Sequence, residues 1–230
     1  MQAGELQVIA GGGITAPLTE IIAQFERASG HKLNVRYGTA PQLIKMAMGD
    51  GPIDLAVVPQ DVLKDRGARA RFTAEAPQDV ARVGIGVAVR KGAPKPDIST
   101  PAALKQTLLE ATSIASIPAS ATGTQLAGIY ERLGITAEMK SRTKAQPLPA
   151  KVVEAVANGD AQLAIFGVNI LMDPRLDLVG PLPAELQREV IYAAAIALSS
   201  KEPEAAAAFL NYLLSAPAAS VFKARGMSPG

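Results

Sequence analysis

The sequence predicts an α/β protein built as two lobes, and three observations predict it. The first 60 residues alternate strand and helix patterns in the order βαβαβ, and their strand-to-helix loops are small and hydroxyl-bearing. A second α/β pattern follows over about residues 85–185. Two long apolar strands of similar composition, Val80 to Arg90 and Val190 to Leu198, stand where the chain would cross between the lobes. The expected division is 1–82 plus 195–230 for lobe 1 and 83–194 for lobe 2, with the ligand cleft between them and closure by hinge bending.

In order, Leu6 to Ala10 reads as a strand, Gly11 to Thr15 as a loop, and Ala16 to Ala28 as a helix. That helix carries Leu18, Ile21, Ile22 and Phe25 on one face, with Thr15 as its N-cap and Gly30 as its end. Lys32 to Tyr37 alternates as a strand; Gly38-Thr39-Ala40-Pro41 opens a helix over Gln42 to Met48, and Ile53 to Val58 is a buried strand. Asp61 to Arg69 reads as one short helix, and Ser99-Thr100-Pro101 caps another that runs to Glu110. Lys140 to Lys144 reads as a charged turn, Ala150 to Ala157 as a helix and Gln162 to Phe166 as a strand followed by a Gly167 loop. After the second long strand come an Ala-rich helix to Leu214 and a last helix from Pro217 to Ala224.

The stretch Ser113 to Gly134 carries the strongest chemical signal. An apolar strand, Ile114 to Ile117, runs through Pro118-Ala119-Ser120-Ala121-Thr122-Gly123 into a helix beginning near Thr124. Free backbone N–H groups and the positive dipole end at such a junction favour an anion. Gly11-Gly12-Gly13 allows a similar close approach ahead of the first helix. A phosphate-binding loop is excluded there because no Gly-Lys-Ser/Thr follows, and the dinucleotide glycine spacing is missing.

Composition narrows the function classes. Of the 230 residues, 48% are hydrophobic, which supplies a core, while aromatics are 4% and Trp is absent, which argues against stacking platforms for sugars or single-stranded nucleic acid. The net charge of +2 is too small for a nucleic-acid footprint. With no Cys and a single His, thiol chemistry, cysteine–histidine zinc sites and a Ser-His-Asp triad fall away, and no cofactor or metal is expected. His31, in a turn after Ser29-Gly30, reads as a surface residue. No apolar run reaches the roughly 20 residues of a membrane span. The opening Met1-Gln2-Ala3-Gly4 reads as a mature chain with an added start Met, its export signal trimmed, which would place the protein in the periplasm.

Together, Gly11 to Thr15, Gly38 to Ala40, Pro52-Ile53-Asp54-Leu55-Ala56-Val57, Val89 to Pro94 and Phe222 to Met227 resemble, in order and spacing, the type II periplasmic solute-binding proteins, and among them the molybdate-binding family. The resemblance implies a two-lobed fold, a small anionic ligand, membrane subunits of an ABC importer as partners, and a monomer that binds no nucleic acid. Carried onto this chain, it implies ligand contacts at Gly12, Gly13, Ile14, Thr15, Gly38, Thr39, Ala40, Ala119, Ser120, Ala121, Thr122, Gly123, Ala150, Phe166 and Gly167.

The family holds its oxyanion with hydroxyls and backbone N–H groups. Here Gly13 stands where a binding serine is expected, Thr39-Ala40 where the second loop is serine-rich, and Phe166 in place of a binding tyrosine. Lost hydrogen bonds to a charged ligand are costly, so these changes favour an organic di- or tricarboxylate over molybdate. Thr15, Thr39, Ser120, Thr122 and Thr124 are the expected hydroxyl donors, and Arg36, Arg82 and Lys151 the cations within possible reach. The family also includes aconitate isomerase-like members, so an enzyme interconverting cis- and trans-aconitate is the alternative. Its acid or base would come from Lys151, Thr122, Tyr37 or Tyr192.

Overall fold

The computed structural model describes residues 4–230; Met1, Gln2 and Ala3, where most of the trimmed-leader reading falls, lie outside the described residues. The chain forms two compact units. One runs up to Arg82 and resumes from Ile191 to Gly230, and the other is Val83–Val190.

In chain order the first unit supplies β1 (Glu5–Gly11), a 3₁₀ turn (Gly12–Ile14), α1 (Thr15–Ser29), β2 (Lys32–Gly38), α2 (Ala40–Met48), β3 (Leu55–Pro59), α3 (Gln60–Lys64) and α4 (Arg66–Arg69). β4 (Gln78–Arg90) leads into the second unit, which continues with α5 (Pro101–Glu110), β5 (Ile114–Ser116), α6 (Ala121–Leu133) and α7 (Thr136–Arg142). β6 (Thr143–Ala145), α8 (Pro149–Ala157), β7 (Leu163–Gly167), α9 (Val168–Leu171) and β8 (Leu176–Pro181) complete it. β9 (Glu189–Ile196) returns the chain to the first unit for α10 (Pro203–Leu213), α11 (Ala216–Ala224) and β10 (Ser228–Pro229).

In the first unit β1 lies between β2 and β3, parallel to both, and β9 adds to β3 antiparallel, with Leu55 opposite Ile196. The parallel pairs are bridged by helices, as parallel strands require. α1 buries Leu18, Ile21, Ile22 and Phe25, the face its spacing predicts. Phe209 of α10 and Phe222 of α11 are fully buried. Buried Asp54 accepts hydrogen bonds from the Gln7 N–H (2.8 Å), the Ser200 hydroxyl (2.8 Å) and the Lys201 N–H (2.9 Å), tying β1 to the segment after β9. Removing that carboxylate would strand three donors, two of them backbone groups.

The second unit sets β7 between antiparallel β4 and parallel β5, with β6 parallel on the outer side of β5 and β8 antiparallel on β4. Ile85, Leu104, Leu108, Leu126, Ile129 and Ile165 fill one core cluster. Ala115, Ile117, Val152, Val156 and Phe166 fill another, so successive strand residues feed different clusters as a pleated strand dictates.

Several elements differ from the sequence expectation. α6 starts at Ala121, three residues before Thr124, because Ser120 caps it by accepting the Gly123 N–H at 3.0 Å. Thr15 is the first residue of α1 rather than its cap; Ile14 holds the cap position, and the 3₁₀ turn supplies the entry. The helix expected over Asp61 to Arg69 breaks at Asp65, which is extended and accepts the Ala68 N–H at 2.9 Å. The expected charged turn at Lys140 to Lys144 is the end of α7 followed by β6, because Ile135 and Met139 are buried and anchor a helix.

His31 is buried, not on the surface. It is 4% exposed, accepts the Gly4 N–H at Nδ1 (3.1 Å) and stacks on Phe25 with ring centroids 6.0 Å apart. In the same corner Glu26 accepts the Leu33 N–H at 2.9 Å and pairs with Lys32 at 3.1 Å; the backbone hydrogen bond, then Lys32, hold its carboxyl below the usual range. A depressed folded value means stability fully present above the ordinary carboxylate range near about pH 4 and lost as pH falls through the folded value. Glu26→Gln should therefore reduce the difference in urea midpoint between pH 7 and pH 3; an unchanged difference would remove Glu26 from the acid response.

Candidate functional site

Each unit brings its candidate residues to the carboxyl ends of parallel strands. In the first unit, pairing of Gly11 with Gly38 sets the ends of β1 and β2 side by side. The turn Gly12-Gly13-Ile14-Thr15 and the loop Gly38-Thr39-Ala40 are therefore neighbours, each opening a helix. In the second unit, Ile114 pairs with both Thr143 and Leu163. This aligns three junctions: Pro118 to Gly123 ahead of and entering α6, Gln146 to Ala150 ahead of and entering α8, and Phe166-Gly167 ahead of α9. Carboxyl edges of parallel sheets are where such folds take ligands, since helix N-termini converge there.

The hydroxyls are less free than the sequence implies. Thr15 donates its hydroxyl to the Gly12 carbonyl at 2.8 Å, and its N–H goes to the same oxygen. The Thr39 hydroxyl donates to Gln42 Oε1 at 3.0 Å, beside the Thr39 N–H at 2.8 Å. Ser120 donates to the Ile117 carbonyl at 2.7 Å, and Thr124 donates to the Ser120 carbonyl at 3.3 Å. Four of the five expected donors thus shape their own loops. Thr122 is the exception: it is 5% exposed, lies in the first turn of α6, and its hydroxyl makes no hydrogen bond among the described residues.

Ser116, the last residue of β5, is a donor the sequence reading missed. It is 4% exposed, and its hydroxyl has no hydrogen-bond partner among the described residues. The available signal was a lone hydroxyl closing an apolar strand just before a small-residue loop. Tyr130 Oη is the single unpaired side-chain polar atom among the described residues that is also sealed from solvent. The unpaired hydroxyls of Ser116 and Thr122 therefore keep an opening to solvent.

Close backbone approaches build both cradles. A Cβ on Gly123 would collide with the carbonyl oxygens of Ile117 and Pro118, so α6 folds directly onto the loop that caps it. A Cβ on Gly11 would stand 2.8 Å from Tyr192 Cε1 and 3.0 Å from Pro59 Cδ, and one on Gly13 would collide with the Tyr192 hydroxyl. Tyr192 lies on β9 opposite Pro59, at the carboxyl end of β3, and is 5% exposed. Its phenol makes no hydrogen bond among the described residues, and burial pushes its pKa well above the ordinary value.

The remaining candidates fall in less open settings. Phe166 is 3% exposed and packs in the core with Ile117 and Val152. Gly167 is buried, Ile14 is fully buried, and Ala119 and Ala150 are exposed. The cations are engaged: Arg36 donates to the Pro52 carbonyl at 2.7 Å, Arg82 pairs with Asp79 at 3.6 Å, and Lys151 pairs with Glu154 on an exposed face. The Tyr37 hydroxyl lies 3.5 Å from Thr19 Oγ1, and burial raises its pKa. The described residues hold no cluster of three or more His, Asp or Glu suited to a metal ion.

What the cradles offer is a set of neutral donors: N–H groups at helix starts and hydroxyls in low-dielectric surroundings, suited to an anion. Known proteins are similar to the chain over nearly its whole length. The chain is 35% identical over 97% of its length to an aconitate isomerase from Pseudomonas sp, covering 87% of that protein. It is 25% identical over 98% of its length to the molybdate-binding protein ModA of Azotobacter vinelandii, covering 90% of it. Among solved structures it resembles the periplasmic molybdate-binding protein of Azotobacter vinelandii (TM-score 0.77, 17% identity, 96% of this chain and 98% of that one). It also resembles the sulfate-binding protein SubI of Mycobacterium tuberculosis H37Rv (TM-score 0.78, 16% identity, 98% of this chain and 87% of that one). The fold class is that of the two-lobed periplasmic binding proteins. Residues 6–228 match the model of the bacterial extracellular solute-binding proteins, and the chain belongs to that family.

Proposed function

We propose that the chain binds a small organic polycarboxylate of the aconitate kind, in preference to a metal oxyanion, and captures it outside the cytoplasm for the membrane subunits of an ABC importer. The observation that carries the reading is the donor set: of the five hydroxyls that would surround a tetrahedral oxyanion, four are held by their own loops. A compact oxyanion needs many short hydrogen bonds at one point. A polycarboxylate spreads its charge over separated groups, each of which needs only a few donors. Thr122, Ser116 and the N–H groups at the start of α6 supply those in the second unit. A thermal-shift series with molybdate, tungstate, sulfate, citrate and the two aconitates tests it. Stabilisation should grow logarithmically with tricarboxylate concentration, and a response to molybdate alone would overturn the preference.

A second reading, isomerisation of cis- and trans-aconitate, is favoured by the 35% identity to an aconitate isomerase over 97% of the chain. The reaction takes a proton from the methylene beside one carboxylate and returns one at the vinyl carbon, so charge builds on carboxylate oxygens in between. Neutral donors held in place at such oxygens stabilise that charge without first rearranging. Ultraviolet absorbance or NMR of the protein with trans-aconitate separates the readings. Appearance of the cis isomer establishes catalysis, and its absence at high protein loading leaves a binding protein.

Thr122→Val keeps the shape and removes the hydroxyl. It should weaken tricarboxylate binding by about 1–2 kcal/mol, or about five- to thirty-fold in Kd by calorimetry. Unchanged affinity would mean that the hydroxyl does not meet the ligand.

A further inference from the structure

We propose that the Tyr192 phenol is the hydroxyl donor of the first unit's cradle, reaching a ligand carboxylate through the space that the missing side chain of Gly13 leaves. The inference rests on the anion-binding reading above and adds to it a contact that comes from neither strand-to-helix loop.

Three observations carry it. The hydroxyl occupies the position a side chain on Gly13 would take, and the ring passes over Gly11 with Pro59 beside it, so the phenol is directed at the turn that opens α1. The other hydroxyl there, that of Thr15, is turned back to the Gly12 carbonyl and does not present its proton to a ligand. Finally, Tyr192 is 5% exposed and its hydroxyl makes no hydrogen bond among the described residues, yet it is not among the polar atoms sealed from solvent. A hydroxyl that no protein group pairs with adds no hydrogen bond to the fold of the free protein, so that fold gains nothing from it. Phenylalanine would fill the same core volume. A bound carboxylate would satisfy the hydroxyl, and the α1 entry turn adds a favourable potential at that place.

The chemistry that follows is donation. Burial keeps the phenol protonated at neutral pH. It therefore serves as a neutral donor to carboxylate oxygen and not as the base of a proton transfer. If the chain isomerises aconitate, this donor would stabilise charge collecting on that carboxylate.

The test is Tyr192→Phe against the unaltered chain, with trans-aconitate as the probe, in calorimetry and in thermal unfolding with and without it. Affinity should fall about ten- to hundred-fold, the scale of a hydrogen bond to a charged partner. Without ligand, the unfolding temperature should be unchanged or higher. A lower ligand-free unfolding temperature with unaltered affinity would show a structural hydroxyl and overturn the proposal. Equal affinity at equal stability would also overturn it. If the unaltered chain binds no tricarboxylate, the ligand reading itself fails. The comparison is then repeated with molybdate, where the same ten-fold or greater loss is expected and equal affinities overturn the role of the phenol.

Discussion

Gly123→Ala should destabilise the protein by about 2–3 kcal/mol and abolish measurable ligand binding. In an ordinary helix the same change stabilises by roughly 1 kcal/mol, because alanine is the better helix former. The sign reverses here because the added Cβ would collide with the Ile117 and Pro118 carbonyl oxygens. Neither is a flexible side-chain end. The Ile117 carbonyl already accepts the Ser120 N–H at 3.0 Å and the Ser120 hydroxyl at 2.7 Å. Relieving the clash must pull α6 away from its capping loop, and Ser120 and Thr122 move with it. Urea unfolding checks the stability, and calorimetry with trans-aconitate checks the binding. A neutral or stabilising result would show that the loop yields at no cost, and the rigid cradle would then lose its basis.

Much of this was legible in the residues. Apolar spacing gave α1 its buried face, Gly30 marked the end of α1, and the small-residue loops fell at parallel strand ends as the βαβ order requires. What the sequence could not show is where each hydroxyl proton goes. Ser120 reads equally well as a ligand donor or a helix cap, and only the fold shows it capping Gly123 and donating to Ile117. Thr15 failed as a cap for a related reason: a 3₁₀ turn inserted ahead of it moved the helix start by one residue. α7 was obscured because its charged surface residues hide two buried anchors, Ile135 and Met139. Phe166 reads in the sequence as a ligand-contact position without the tyrosine hydroxyl, and its side chain packs in the core with Ile117 and Val152. The pairing of Gly13 with Tyr192 spans 179 positions and no local pattern announces it.

That pairing yields the second large effect. Gly13→Ala should cost about 1–3 kcal/mol in the unaltered chain, and close to nothing when combined with Tyr192→Phe. Gly13 does not adopt a positive φ, so its backbone does not itself demand glycine. What excludes a side chain is the phenol hydroxyl. The next ring atom, Cζ, lies at 3.6 Å from the added Cβ, an ordinary contact. Deleting one oxygen therefore makes room for one methyl group. The reduced freedom of the unfolded chain could then bring a gain of roughly 0.4–1 kcal/mol. Urea unfolding of the two single variants and the double variant gives the coupling, expected at about 1–3 kcal/mol in the direction of rescue. Additive effects would mean that Gly13 and Tyr192 do not share this space. Gly13→Ser with Tyr192→Phe takes the argument one step further, since it restores a hydroxyl to the cradle from the loop instead of from β9. With a shorter reach and a different donor direction, that variant should recover stability while its preference shifts from tricarboxylate towards a compact oxyanion, read as the ratio of the two affinities. An unchanged ratio would show that the source of the hydroxyl does not set the choice of ligand.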